Sequence, residues 1–223
     1  MILTWRITTL FHKENSSETG VLWSHSLVNK DRTIMQGQFK KAGYYTLLIK
    51  DDIRLIVLNS ILFSQKARGN EKEIERAAAA ELAWLHQQLV KAQAQQQQVL
   101  IAMHIPPSVD IHTSLQQTAL TIATFWKEKY LQGFQQELRS FAPIIMAVLP
   151  AHIHYDWSQL LPVDNKNKIL MIGTPSVSPI YGNKPGFKIF SYHTSSLQFE
   201  NAITYDLSVA STETRSSNTK QRP

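Results

Sequence analysis

An α/β fold is what this sequence predicts, and three observations predict it. Short apolar runs alternate with amphipathic segments of helical length, two of those runs stop at prolines, and turn residues separate the pieces. The first forty or so residues show no clear period, and Gly37, Lys40, Lys41 and Gly43 read as a loop feeding a strand over residues 44–49. Asp51-Asp52 turns the chain into a second strand over 54–59, whose Leu-Ile-Val-Leu run fits burial on both faces. Gly69-Asn70 precedes a helix over 71–94, where Ile74, Ala78, Leu82, Leu85 and Leu89 recur at three- and four-residue steps. Residues 99–103 form a strand that ends at His104-Ile105-Pro106-Pro107, because consecutive prolines continue neither strand nor helix. A second helix is expected over 120–140, with Trp126, Tyr130, Phe134 and Leu138 every four residues. The strand over 144–149 stops at Pro150 and delivers Ala151-His152-Ile153-His154. Strands follow over 168–172, 187–192 and 197–205, with a turn-rich loop over 173–186. From Ser208 onward Ser, Thr, Asn and charge dominate, and disorder is expected.

A chain of 223 residues with 43% hydrophobic content can bury the core of one α/β domain. No run approaches the roughly 18 apolar residues of a membrane span. The apolar start, broken by Arg6, has no small-residue cleavage site, so no signal peptide is read there. The absence of cysteine excludes disulfides, thiolate metal sites and cysteine nucleophiles, and leaves the compartment open. Part of the net charge of +6 comes from Arg215, Lys220 and Arg222 in the polar tail, and the other basic residues are scattered. With no basic stripe interleaved with aromatics, nucleic-acid binding is not expected.

Two strand–helix–strand units each place histidine at the carboxyl end of an apolar strand, the edge where open α/β sheets bind ligands. His152 and His154 differ by two, so an extended segment would aim both side chains the same way. With His104 from a neighbouring strand end, they suit a divalent ion such as Zn, Mn or Fe. His12, His25, His86, His112 and His193 lack this placement and read as ordinary residues, His86 on a solvated helix face.

Further landmarks stand in order: Gly43-Tyr44-Tyr45, Leu58-Asn59, Leu82-Ala83-Trp84-Leu85, Met103-His104-Ile105-Pro106-Pro107, Ala151 to Asp156, and the Pro-Ser to Gly-Phe segment over 175–187. This set resembles the C-terminal half of calcineurin-like metallophosphoesterases, in particular the acid sphingomyelinase-like phosphodiesterases. The resemblance covers residues 43–205. It implies the C-terminal half of a four-layer α/β/β/α sandwich, with a lead-in over 1–42, a domain over 43–207 and a tail over 208–223. It further implies two divalent metals that clamp a phosphoester, with His104 and His152 on one and His154 on the other. Asp156 would support the loop, and the 175–187 segment would wall the substrate cleft, with Tyr181 and Asn183 as polar contacts. The implied substrate is a phosphoester small molecule or a lipid head group.

The family's acidic motifs, D-x-H, G-D-x-x-D and G-N-H-[DE], do not stand in this sequence in their expected places. Asp110-Ile111-His112 spells D-x-H but follows the double proline, and Gly69-Asn70-Glu71 opens a helix. Both read as coincidence. Met103 and Ala151 also replace the glycines that precede the family's histidines. Two functions are expected from this: a metal-dependent phosphoesterase completed by a missing N-terminal half, or an inactive relic or binding module. Half a sandwich would expose a sheet edge and apolar helix faces, so self-association is expected.

Overall fold

The computed structural model describes residues 32–50, 52–116, 122–164, 167–193, 196–197 and 199–207. The expected disordered tail and the readings at His12 and His25 lie outside them. Where a loop was expected before the first strand stands a helix, α1 (Arg32–Ala42). Gly37 in its interior weakens it by about 1 kcal/mol relative to alanine. Burial of Met35 and packing of Phe39 on the sheet outweigh that loss. Gly43, at φ 79°, stops the helix by returning its N–H to the Phe39 carbonyl at 2.8 Å.

Six strands form one sheet in the order β1-β2-β3-β4-β6-β5. They are β1 (Tyr45–Lys50), β2 (Ile53–Leu58), β3 (Gln98–Met103), β4 (Ile145–Pro150), β5 (Trp157–Pro162) and β6 (Lys168–Gly173). β2, β3, β4 and β6 run parallel, while β1 and β5 close the two edges antiparallel. Leu58, Met103 and Pro150 are register partners at the carboxyl ends of β2, β3 and β4. The next residues, Asn59, His104 and Ala151, therefore leave the sheet side by side.

Alternation along the strands splits the core in two. Ile56, Leu58, Val99, Ile101, Met103, Val148 and Met171 face the helices α2 (Glu71–Ala94) and α4 (Glu128–Phe141). Leu55, Val57, Leu100, Ala102, Ala147 and Leu149 face the other way, onto α1 and a two-stranded ribbon of β7 (Gly186–Tyr192) and β8 (Phe199–Asp206). A one-turn-and-a-half helix, α3 (Ile111–Gln116), follows the double proline.

The second long helix starts later than its four-residue period predicts, at Glu128 rather than near residue 120. The residues just before it are extended, with bridges from Thr124 to Val109 and from Trp126 to Ser64. Trp126 is fully buried, and its indole donates to the Ile105 carbonyl at 3.0 Å. That bond fixes it in the loop rather than on the helix. β5 carried no strand signal because Ser158, Gln159 and Leu160 face solvent and Pro162 ends it, as suits an edge. No helix among the described residues is long and apolar enough to cross a membrane.

Candidate metal centre

His104 follows β3 directly. The Ile105 N–H donates to the Ser60 hydroxyl at 2.7 Å, which ties the loop after β3 to the loop after β2. The Ala151 N–H donates to the His104 carbonyl at 3.0 Å, tying the loop after β4 to both. Three strand ends are thus tied together around the first imidazole, by one backbone bond and one bond to the Ser60 side chain.

Beyond Ala151 the chain is not extended, and the expectation of a strand-borne H-x-H is corrected. His152 and His154 adopt left-handed backbone, φ 71° and 68°. The Ile153 N–H reaches back to the Ala151 carbonyl at 2.8 Å, a γ-turn centred on His152. Pro150 ends the ladder here, and each such residue stores about 1–3 kcal/mol of strain. The two rings consequently meet different neighbours. His152 lies edge-on to His104, with centroids 5.0 Å apart, and to Phe125 at 5.2 Å. His154 stands against Tyr181, centroids 4.9 Å apart.

His104 Nε2 and His152 Nδ1 lie 3.2 Å apart, within hydrogen-bond distance, with the donor set by the tautomer. Two imidazole nitrogens bound at about 2.0–2.1 Å to one tetrahedral ion lie about 3.3 Å apart, so this pair fits two ligands of one ion. Nδ1 of His104 and Nδ1 of His154 are buried without a hydrogen-bond partner among the described residues. Burial, and after it the neighbouring His152 and His154, hold His104 down at about 4. Burial, then His154 and Lys66, lower His152 against an opposing pull from Asp110. Both shifts favour the neutral ring, the state that ligates metal.

Among the described residues no group of three or more His, Asp and Glu forms a complete metal cluster. Asp110 is near enough to act on His152, yet its carboxylate is occupied. It accepts from the Thr113 amide at 3.0 Å and the Thr113 hydroxyl at 2.7 Å, capping α3, and Lys66 lies 3.6 Å away. Asn70 likewise caps α2, accepting from the Glu73 amide at 3.2 Å. Both motif look-alikes are helix caps.

Tyr181 is exposed on the loop between β6 and β7. Asn183 is buried there, its amide donating to the carbonyls of Ser178 at 2.9 Å and Lys184 at 3.3 Å, so it shapes the loop. Asp156 accepts from the Lys188 ammonium and the Thr204 hydroxyl of the ribbon. Sequence reasoning missed Lys188, Thr204 and Phe125. The lysine left a signal, since it occupies an inward register position between Gly186 and Phe190.

No family model matches the chain. Among curated proteins it is similar to sphingomyelinase phosphodiesterase D of Dictyostelium discoideum, 30% identical over 75% of this chain and 37% of that protein. Sphingomyelinase phosphodiesterase C of the same organism is 27% identical over 78% of this chain and 39% of its own. The acid sphingomyelinase-like phosphodiesterase 3b of Mus musculus is 25% identical over 93% of this chain and 44% of its own. The chain thus spans less than half the length of these relatives. A solved dimetal phosphatase from Danio rerio superposes with a TM-score of 0.49 and 13% identity, over 77% of this chain and 61% of its own.

Proposed function

We propose, on the premise that the chain is a relative of the acid sphingomyelinase-like phosphodiesterases, that it supplies the histidine side of a two-metal phosphodiester-hydrolysing centre. His104 and His152 would hold one ion and His154 the other. The chemistry such a pair of ions supplies when bound is Lewis acidity toward a phosphoryl oxygen. The observation that carries the reading is the 3.2 Å approach of two imidazole nitrogens from separate strand ends. The hydrogen bonds that tie the three strand ends together support preorganisation of the backbone that carries those rings, as a metal site requires. Tyr181, beside His154, would orient a phosphoester small molecule or lipid head group, and Asn183 would keep its loop in shape.

Two dications at close range need a bridging anion, and no carboxylate among the described residues joins the three histidines. Elemental analysis for Zn, Mn and Fe, with hydrolysis of a chromogenic phosphodiester, tests the proposal. The full chain is assayed alone and with a polypeptide carrying D-x-H, G-D-x-x-D and G-N-H motifs. Metal uptake that depends on His104 and His152, and turnover only in the mixture, is the expected result. No metal and no turnover in either case would sink it.

A second reading, a non-catalytic binding module, draws on the absence of a joined carboxylate among the described residues. The DNA immediately upstream separates the two: an open frame encoding the acidic motifs favours a divided enzyme. Self-association belongs to either reading, because among the described residues β1 and β5 are the sheet's edges and Leu160 is 54% exposed on β5. A monodisperse monomer in light scattering would count against it.

A further inference from the structure

We propose that Lys188 and Thr204 are positioning residues for the histidine loop, gripping Asp156 so that His152 and His154 keep the left-handed backbone that presents their rings. This rests on the reading of those histidines as metal ligands. Left-handed backbone at two bulky, non-glycine residues persists only where the surroundings over-determine it. On the upstream side the Ala151 amide is fixed to the His104 carbonyl. On the downstream side the His154 carbonyl accepts from the Ser176 amide at 3.2 Å. Neither bond limits what the chain does between His154 and β5. Asp156 does, because its side chain is fastened to a separate element.

The fastening has a particular geometry. Lys188 and Thr204 are direct partners in the β7–β8 register, so one carboxylate is held by both strands of the ribbon. The Lys188 side chain is only 5% exposed, whereas that of Asp156 is 46% exposed. A buried ammonium without its counter-ion is strongly disfavoured, so the lysine holds the aspartate in place as firmly as the reverse. The same ribbon packs Phe190, Tyr192 and Phe199 on the sheet face opposite the long helices. The loop is therefore referenced to the sheet twice, once through its own strand and once through the ribbon. Groups hydrogen-bonded directly to metal ligands typically matter about 10–100-fold in metal affinity, which bounds a grip one step further back.

The plain alternative is an ion pair that only docks the ribbon. Lys188→Met keeps the buried stem and removes the charge, Lys188→Arg keeps the charge, and Thr204→Val removes one hydrogen bond at equal size. Zinc affinity of the full chain is read by competition with a chromophoric chelator, beside a melting curve. In the metal-free chain, NMR reads the ring contact between His104 and His152. We expect Lys188→Met to weaken zinc binding by up to about 10-fold and to lose that contact, Thr204→Val to weaken it less, and Lys188→Arg to restore most of it. If Lys188→Met fails to fold, Thr204→Val decides. Wild-type zinc affinity and ring contacts in the neutral variants, with only the melting temperature lowered, would overturn the proposal. If the wild-type chain binds no zinc, the metal reading fails by itself, and the ring contact still tests the positioning role.

Discussion

Glu81 is fully buried on α2, with one carboxyl oxygen accepting the Asn59 amide at 2.6 Å and the other without a partner among the described residues. Burial pushes it up to about 8, against the lowering effect of the Asn59 bond. A raised carboxyl pKa means the folded state keeps a proton that the unfolded chain releases. This group's contribution is therefore most favourable below the unfolded value of about 4.5, and stability falls as pH rises from there to about 8. Glu81→Gln should flatten that slope and raise the melting temperature by a few degrees at pH 8, with little gain at pH 5. Parallel melts across that range check it. At the same scale, His104→Ala should abolish metal uptake while leaving the fold intact, measured by elemental analysis and circular dichroism. The candidate histidines were legible as letters, since His104 follows a strand directly and His152 and His154 lie just past another. The φ of the last two was not, because nothing in Ala-His-Ile-His distinguishes extended from left-handed backbone.

At the scale of elements, the close approaches are made by glycine. A Cβ on Gly173 would sit 2.0 Å from the Trp157 indole nitrogen, across the β5–β6 pair. Gly173→Ala must expel Trp157, so we expect a loss of about 1–3 kcal/mol and a change in tryptophan fluorescence. Gly133 on α4 faces Leu82 of α2, where an added Cβ would lie 3.1 Å from the leucine. The helix over 71–94 and the strands leading to both histidine segments were readable because their periods reflect burial on one face or two. The ones missed or displaced, α1, β5 and the start of α4, are governed by tertiary contacts. Met35 and Phe39 carry α1 against its glycine, and the Trp126–Ile105 bond holds the chain before α4 out of the helix.

For the molecule as a whole, β2, β3 and β4 are covered on both faces, whereas β1 and β5 are edges. Backbone amides of the three central strands should be the slowest to exchange with deuterium, and those of β5 among the fastest. Uniform exchange across the sheet would contradict the two-faced core. The α/β class followed from alternating periods alone. The division of layers did not, because the ribbon's place opposite the helices depends on contacts of Phe190, Tyr192 and Phe199 that no local pattern announces.

On the proposed reading of His152 as a ligand, its γ-turn places stability and function in opposition at a single codon. Glycine adopts φ 71° without penalty, so His152→Gly should melt a few degrees above His152→Ala while both lose the ligand. A library of this chain screened for heat resistance alone would therefore drift toward glycine there. Persistence of the imidazole through such a drift would be a record of selection for ligand binding rather than for folding.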